Sequence, residues 1–339
     1  MNVLVVRPDG IGDVLFSLPV ATQLKQLLPS VRVGFLVSPT VAPILDRHPD
    51  VDYVRTIRWI DPFKEVRAAF SDSIEAAIFL KPFRRLMWAA FLERIPLRIA
   101  TGYRWYSPLA NRRVYEHRSD FSRHESEYNV GMLKGLGLAP LAVSPPVLHL
   151  TESEREFGRQ RWKDDSTKRV VIHPGGVSAR RWKFEHYRDL AMALADRGFA
   201  VGLTGSLAER DQFLQEIRST DLVAKTILDF MGTLSVRELM AVISGAHVVV
   251  SGATGPAHLA AALNVPTVSL YDPRRNNLPT RWKPLGKGIV LSPDVPTCER
   301  CIGEACGYWD CLDRLTVVEV ADKVCEVIAS PTKLRVISL

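Results

Sequence analysis

Residues 246–271 constrain the fold more than any other stretch of this chain. The β-branched run Val248–Val250 predicts a buried parallel strand, an alanine-rich helix is expected from about Thr254, and Thr267–Tyr271 predicts the next strand. The small residues of Ser251–Gly255 let backbone amides approach a ligand closely, and Thr254 is expected to cap the helix through its side chain. A strand and loop ending at a helix N-terminus favour an anion site, most often for phosphate; a βαβ turn without a ligand is the alternative.

The rest of the chain repeats this alternation, which predicts an α/β fold with parallel sheets covered by helices on both faces. A length of 339 residues favours two domains, and prolines at positions 140, 145 and 146 mark a break in composition. We therefore predict domains over residues 1–150 and 151–339, with the last helix a candidate to pack back on the first domain. Helices are expected over about Val14–Leu28 and from about Ser153. Strands are expected over Asn2–Val6, Val31–Val37, Tyr53–Thr56, Ala76–Leu80, Leu97–Thr101, Arg169–His173, Phe199–Thr204, Lys225–Leu228, Val248–Ser251 and Thr267–Tyr271.

The formal net charge of +7 favours an anionic partner. Many basic residues crowd into the first half of the chain, namely Lys81, Arg84, Arg85, Arg94, Arg98, Arg104, Arg112, Arg113, Arg118 and Arg123. Their density suits a phosphorylated lipid, a membrane surface or nucleic acid, and a solvated basic face is the alternative. Nucleic acid is the weaker hypothesis because no nucleic-acid module accompanies the charge. No apolar run is long enough to span a bilayer, and the N-terminus lacks the features of a signal peptide, so a cytoplasmic protein is expected.

The loop after the first predicted strand presents Asp13 at the start of a helix. Gly10 and Gly12 in this loop fit a dinucleotide fingerprint, but Leu15 stands where its third glycine belongs, and no acidic residue ends the second strand. A nicotinamide-binding domain is therefore rejected. Asp13 remains a candidate functional carboxylate, and a helix-capping role is the alternative.

Two loops in the second half of the chain also follow predicted strands and suit an anion. The His173–Gly176 loop leads to Arg180 and Arg181, whose guanidinium groups match phosphate oxygens. Glu209 follows the next strand end, where a carboxylate can accept hydrogen bonds from ribose hydroxyls. Each loop is weakly specific alone, but three anion-binding strand ends in one domain form a stronger signal.

Together these motifs resemble those of glycosyltransferase family 9, the ADP-heptose:lipopolysaccharide heptosyltransferases, in the same order and over nearly the whole chain. The resemblance implies a GT-B fold, in which two Rossmann-like domains face each other across a cleft and the second holds the sugar nucleotide. It also implies inverting transfer without a metal or other cofactor. The motifs are Ile11-Gly12-Asp13, His173-Pro174-Gly175 with Arg180-Arg181-Trp182, Gly205 with Glu209, Met231-Gly232-Thr233-Leu234-Ser235 before Glu238-Leu239, and Thr254-Gly255-Pro256 with His258-Leu259.

The resemblance also implies roles for individual residues. Asp13 matches the proposed catalytic base and Ala253 stands where the family usually has an aspartate that contacts the donor sugar. The substrate-binding positions implied are Gly12 beside the base, Arg180 at the donor phosphates, Glu209 at the ribose, Leu234 at the adenine, and Thr254, Gly255 and His258 at the diphosphate. The expected donor is ADP-heptose and the expected acceptor is an anionic glycolipid such as a lipopolysaccharide core. The enzyme would then work peripherally at the inner membrane surface and would not bind nucleic acid.

Four of the five cysteines cluster as Cys298-x2-Cys301-x4-Cys306-x4-Cys311, a spacing typical of a zinc knuckle. Reduced thiols, a structural metal and disulfides all stay open as interpretations, and the resemblance implies no metal in catalysis. Cys325 is most simply a buried apolar residue.

Two other functions compete with a transferase. Ala253 supports a catalytically silent binder of nucleotide sugars or polyanions, whereas the presence of Asp13 speaks against it. A sugar-nucleotide epimerase of the same fold would need further acids, which the motifs do not single out.

Overall fold

A computed structural model describes residues 1–71, 73–162, 166–176, 180–217 and 227–339. Its internal contacts divide the chain into two compact units, Met1–His149 and Leu150–Leu339. Each unit holds one sheet of parallel strands with helices between them. The predicted α/β class with two Rossmann-like parallel-sheet domains is confirmed.

The first unit has six strands in the order β3-β2-β1-β4-β5-β6. They are β1 (Asn2–Val6), β2 (Arg32–Val37), β3 (Tyr53–Thr56), β4 (Ala76–Phe79), β5 (Leu97–Thr101) and β6 (Arg112–Val114). The helices are α1 (Ile11–Leu15), α2 (Leu18–Leu27), α3 (Phe63–Ala68), α4 (Arg84–Leu92) and α5 (Glu125–Gly131). β1 lies inside the sheet and is buried along its whole length, which explains its apolar sequence.

The prediction of a single helix over about Val14–Leu28 is wrong in one respect, because the structure has two helices with a break after Leu15. Pro19 has no N–H to donate to the Leu15 carbonyl, so the first helix cannot continue through it. Ser17, at the break, donates its hydroxyl proton to the Asp13 carbonyl over 2.7 Å.

The second unit has seven strands in the order β13-β12-β11-β10-β7-β8-β9. They are β7 (Arg169–His173), β8 (Ala200–Leu203), β9 (Ile227–Asp229), β10 (Val248–Gly252), β11 (Thr267–Leu270), β12 (Gly288–Ser292) and β13 (Arg335–Ser338). The helices are α6 (Glu152–Arg161), α7 (Phe184–Asp196), α8 (Leu207–Glu216), α9 (Val236–Ser244), α10 (Gly255–Ala262), α11 (Pro279–Trp282) and α12 (Val317–Ala329). The last helix places Val320 and Val324 in the core of this second unit.

Three strands of the structure were not predicted from the sequence, namely β6, β12 and β13. β6 and β13 are edge strands with exposed residues, so their sequences lack the apolar runs that mark a buried strand. Of the predicted strand Lys225–Leu228, positions 225 and 226 lie outside the described residues. No helix in the described part of the chain is long and apolar enough to span a bilayer.

Candidate functional site

Each sheet has one place where the direction of its strand order reverses. In the first unit the chain builds outward from β1 to β2 and β3 and then returns to form β4 beside β1. The second unit does the same at β7 and β10. Connections leave such a pair of strands in opposite directions, and the crevice at their carboxyl ends is where open parallel sheets bind ligands. The loops after these strands are therefore the candidate sites.

Thr254 is the N-cap residue of α10, directly after β10. Its backbone is extended, with φ −134° and ψ 168°, and Gly255 and Pro256 begin the helix. The Thr254 side chain makes no capping hydrogen bond, so the prediction that it caps the helix is wrong. Its Oγ1 atom is instead buried with no hydrogen-bond partner in the described ranges. A buried polar atom without a partner costs free energy, and beside the first amides of a helix it suits an anion.

The glycine loop after β7 packs directly against Thr254. Gly176 has a φ of 141°, and a Cβ atom on it would lie 2.5 Å from Thr254 Cγ2. A Cβ atom on Gly175 would lie 2.1 Å from Glu209 Oε1. Position 176 therefore requires glycine because of its φ, a side chain at position 175 would displace the Glu209 carboxylate, and the loops after β7, β8 and β10 meet here.

Glu209 fastens this glycine loop to the start of α8. Its Oε1 accepts a hydrogen bond from the Gly176 amide over 3.0 Å, and its Oε2 accepts from the Ser206 amide over 2.7 Å. Partial burial alone would raise the pKa of Glu209, but the Ser206 hydrogen bonds, nearby His173 and the Gly176 amide hold it below the ordinary value. Burial lowers the pKa of His173 despite the attraction of Glu209.

The turn that carries Leu234 lies beside the same loops. The Gly232 amide donates to the Gly205 carbonyl over 2.8 Å, which ties the turn before α9 to the loop after β8. Gly232 has a φ of 72°, as the turn requires. Leu234 itself is half-buried between this turn and α9.

Ala253 and His258 lie on either side of the start of α10. Ala253 is buried in a small apolar cluster with Tyr271 and Val290. The position at which the resemblance implies an aspartate is therefore apolar in this chain. His258 is buried in the second turn of α10.

Arg180 is turned toward the cysteine cluster. Its guanidinium donates to Cys301 Sγ over 3.0 Å and to the Trp309 carbonyl. The four clustered cysteines line one small cavity with Arg180 and are free thiols. Among the residues that the structure describes, no group of three or more potential ligands is placed to hold a metal ion.

The backbone of Arg180 is held by Asp272, a residue that the sequence analysis missed. The buried Asp272 carboxylate accepts from the Arg180 amide over 2.9 Å and from the Arg274 guanidinium over 2.8 Å. It also accepts from Asn277 over 3.0 Å. Asp272 thus joins the segment before α7 to the loop after β11.

In the first unit, Asp13 lies in α1 after β1 and is about one-quarter exposed, at 27%. Gly12 contributes backbone to the same helix, where its carbonyl accepts from the Phe16 amide over 3.0 Å. The Asp13 carboxylate is bound by the guanidinium of Arg7, which is buried. The capping role considered for Asp13 is not seen, because Gly10 is the N-cap residue.

Arg7 holds three carboxylates at once and was also missed from the sequence. Besides Asp13, it contacts Asp9 over 3.0 Å and Glu125 over 3.1 Å. Burial alone would lower the pKa of Arg7, but the three carboxylates raise it, so the guanidinium stays cationic. One feature of the sequence could have identified both Arg7 and Asp272. Arg7 directly follows a buried strand, and Asp272 comes two positions after one.

Comparison with known proteins agrees with this architecture. The model of glycosyltransferase family 9 (heptosyltransferase) matches residues 81–307. A putative glycosyltransferase of Haemophilus influenzae is 27% identical over 86% of this chain and 89% of its own length. Lipopolysaccharide heptosyltransferase 1 of Escherichia coli K12 is 25% identical over 80% of this chain and 88% of its own. The structure of E. coli ADP-heptose lipopolysaccharide heptosyltransferase II superposes with a TM-score of 0.78 over 97% of this chain and 99% of its own, at 21% identity.

We expect Arg7→Met to destabilise the first unit by about 3 kcal/mol, because it removes the buried guanidinium that lies among three carboxylates, although Asp9 keeps Lys81 and Glu125 keeps Arg118 as partners. The matched control is Arg67→Met, which breaks a more exposed pair with Glu93 and should cost less than about 1 kcal/mol. Urea unfolding measures both. The deficit of Arg7→Met should shrink as the pH falls, since protonation removes the repulsion between the carboxylates. Equal losses for the two variants would contradict the buried network.

We also expect Cys301 to be alkylated by iodoacetamide at neutral pH faster than Cys298 and Cys311. The Gly303 amide and Arg180 lower the pKa of Cys301, whereas burial raises the pKa of the other two thiols. Peptide mass spectrometry after timed labelling gives the three rates. Arg180→Gln should slow labelling of Cys301, while Arg314→Gln, which removes an exposed guanidinium from Asp310, should not. Equal rates at the three cysteines would overturn this prediction.

Proposed function

The chain belongs to glycosyltransferase family 9 and is a glycosyltransferase, and from this premise we propose that it transfers heptose from ADP-heptose to a lipopolysaccharide core or related anionic glycolipid. The similarity to the E. coli structural relative, an ADP-heptose lipopolysaccharide heptosyltransferase, supports this choice of substrates. One observation in this chain carries the proposal: the Thr254 hydroxyl, buried and without a partner among the described residues, lies beside the Gly255 amide at the start of α10, at the β7/β10 reversal. We further propose that the enzyme works at the inner face of the cytoplasmic membrane.

The reaction that these residues would perform is a single displacement with inversion. Asp13 removes the proton from an acceptor hydroxyl as that oxygen attacks the anomeric carbon, and the bond to the diphosphate breaks. The leaving diphosphate gains negative charge, which the amides at Gly255, the Thr254 hydroxyl and the α10 dipole would stabilise. Removal of one such donor commonly costs about 3 kcal/mol of barrier.

Glu209 and Arg180 have narrower proposed roles. A carboxylate offers about four acceptor positions, so Glu209 can bind the ribose while it keeps its bonds to Gly176 and Ser206. Arg180 would bind the diphosphate only after leaving Cys301 and the Trp309 carbonyl. His258 and Leu234 would border the diphosphate and the adenine.

A silent sugar-nucleotide binder is the second candidate, and the apolar surroundings of Ala253 favour it. Release of ADP from ADP-heptose separates the two functions, because the binder would retain the donor without turnover. Measurement with and without a heptose-deficient lipopolysaccharide distinguishes hydrolysis from transfer.

We expect Thr254→Val to weaken ADP binding by roughly tenfold, or about 1.5 kcal/mol, because it removes a hydroxyl that bonds a charged phosphate. The isosteric change keeps the methyl contact with Gly176. The stability of the ligand-free protein should not fall, since this hydroxyl has no partner to lose among the described residues. Calorimetric titration with ADP and thermal unfolding measure the two effects.

The matched control is Thr267→Val in β11. The Thr267 hydroxyl is also buried and without a partner in the described residues, but it lies at the opposite end of its strand from the site. ADP affinity should be unchanged in this variant. If Thr254→Val binds ADP as tightly as the wild type, the diphosphate does not sit at this hydroxyl.

We expect Asp13→Asn to lower kcat by about 10²–10⁴-fold while the Kd for donor stays nearly unchanged, because the amide cannot accept the acceptor's proton. Asp9→Asn is the comparison, since Asp9 contacts the same guanidinium, and it should retain far more activity. ADP release with acceptor gives kcat, and donor titration gives Kd. Normal turnover in Asp13→Asn would remove this residue from the mechanism.

A further inference from the structure

The first unit contains a large apolar cleft that the proposed chemistry does not use. The cleft has a volume of about 710 Å³, which is the size of a small-molecule site. Phe63, Trp88, Trp105 and Leu109 line it together with Arg84 and Arg85. Its walls come from α3, α4 and the connection between β5 and β6. We call this feature the aromatic cleft.

Large apolar side chains also stand exposed around the aromatic cleft. Ile60 is 86% exposed, Trp105 is 78% exposed and Trp88 is 45% exposed. Trp59 is exposed as well and packs its ring against Phe83, with centroids 4.5 Å apart. Contiguous exposed apolar side chains of this size are rare on a protein that has no partner for them.

Arginine side chains accompany these aromatic groups and set the charge of the ligand. The Arg84 guanidinium lies 5.8 Å from the Trp105 ring centre. Arg85 donates to the Trp59 carbonyl over 2.8 Å, which fixes the loop that carries Ile60. Tryptophan combined with arginine is typical of surfaces that sit at the boundary between lipid chains and anionic headgroups.

We propose that the aromatic cleft docks on an anionic lipid bilayer and accepts one hydrocarbon chain of a lipid, with Trp88, Trp105 and Ile60 in the interface. Arg84 pairs with a lipid phosphate at the headgroup level. This inference deepens the proposed function, since it names the surface that brings a lipid-linked acceptor to the enzyme. It needs no activity for its test.

A series of contacts connects the surroundings of the aromatic cleft to the proposed base within the same unit. Phe83 contacts Trp59 at one side, and Lys81 lies 5.2 Å from the Phe83 ring centre. Lys81 also donates to Asp9 over 2.9 Å, and Asp9 shares the Arg7 guanidinium with Asp13. The loops after β1, β3, β4 and β5 supply these groups at one edge of the sheet.

The test is flotation of the full chain with vesicles of dioleoylphosphatidylcholine, alone or mixed with dioleoylphosphatidylglycerol. We expect binding to the mixed vesicles and a loss of roughly tenfold or more in affinity for the double variant Trp88→Ser/Trp105→Ser. Arg84→Gln should weaken binding to the anionic vesicles only. Glycerophospholipids with brominated chains should quench tryptophan fluorescence in the wild type more than in the double variant. Unchanged far-ultraviolet circular dichroism shows that the variants are folded.

The matched control is Trp309→Ser in the second unit, because Trp309 has the same 45% exposure as Trp88. It should float like the wild type. If the double variant binds vesicles as tightly as the wild type, the proposal is wrong. It is equally wrong if the wild type ignores vesicles and sediments as a dimer that the double variant dissociates, since the cleft then binds a second copy of the chain.

Titration with ADP separates this proposal from the proposed function. The double variant should bind ADP like the wild type, and Thr254→Val should float like the wild type. If the wild type does not bind ADP, the proposed donor is wrong, but the proposal of lipid docking is unaffected. If Thr254→Val loses vesicle binding, the aromatic cleft is not the surface that docks on lipid.

Discussion

The pairing of β7 with β10 is the interaction on which the second unit's site depends. Parallel hydrogen bonding sets His173 opposite Ser251, so both strands end at the same level. The glycine loop after β7 and the start of α10 then share one small space, in which Gly176 has a φ of 141° and leaves no room for a Cβ atom beside Thr254. Glu209 holds the glycine loop in place by accepting a hydrogen bond from the Gly176 amide. In the proposed reaction, donors that are held in place before a ligand arrives would stabilise the leaving diphosphate.

The first unit holds a carboxylate in one orientation at the end of a buried strand. Arg7 does this from the end of β1 by binding Asp13, Asp9 and Glu125 together. Burial of a cation costs free energy unless carboxylates pair with it. Loss of any one of these partners is therefore expected to destabilise the first unit. The aromatic cleft lies in the same unit.

Two features bear on the identity of the donor. Ala253 belongs to an apolar cluster, so its side chain offers no hydrogen bond to a sugar hydroxyl at the position where the resemblance implies an aspartate. Arg180 bonds the Cys301 thiol and the Trp309 carbonyl, and Asp272 holds its backbone. Because the same guanidinium is a candidate for the diphosphate, the state of Cys301 and the binding of the donor are expected to be linked.

The sequence by itself determined the strands of the sheet interiors, because runs such as Val248–Val250 are too apolar to lie anywhere else. It also determined which loops end those strands, and hence where Asp13 and Thr254 fall. Only the tertiary structure decided their partners. Glu125 contacts Arg7 although the two residues lie 118 positions apart in the chain, and no local sequence pattern predicts such a pair. The Thr254 side chain, expected from its type to cap a helix, does not, because the glycine loop that packs on its methyl group comes from a separate strand.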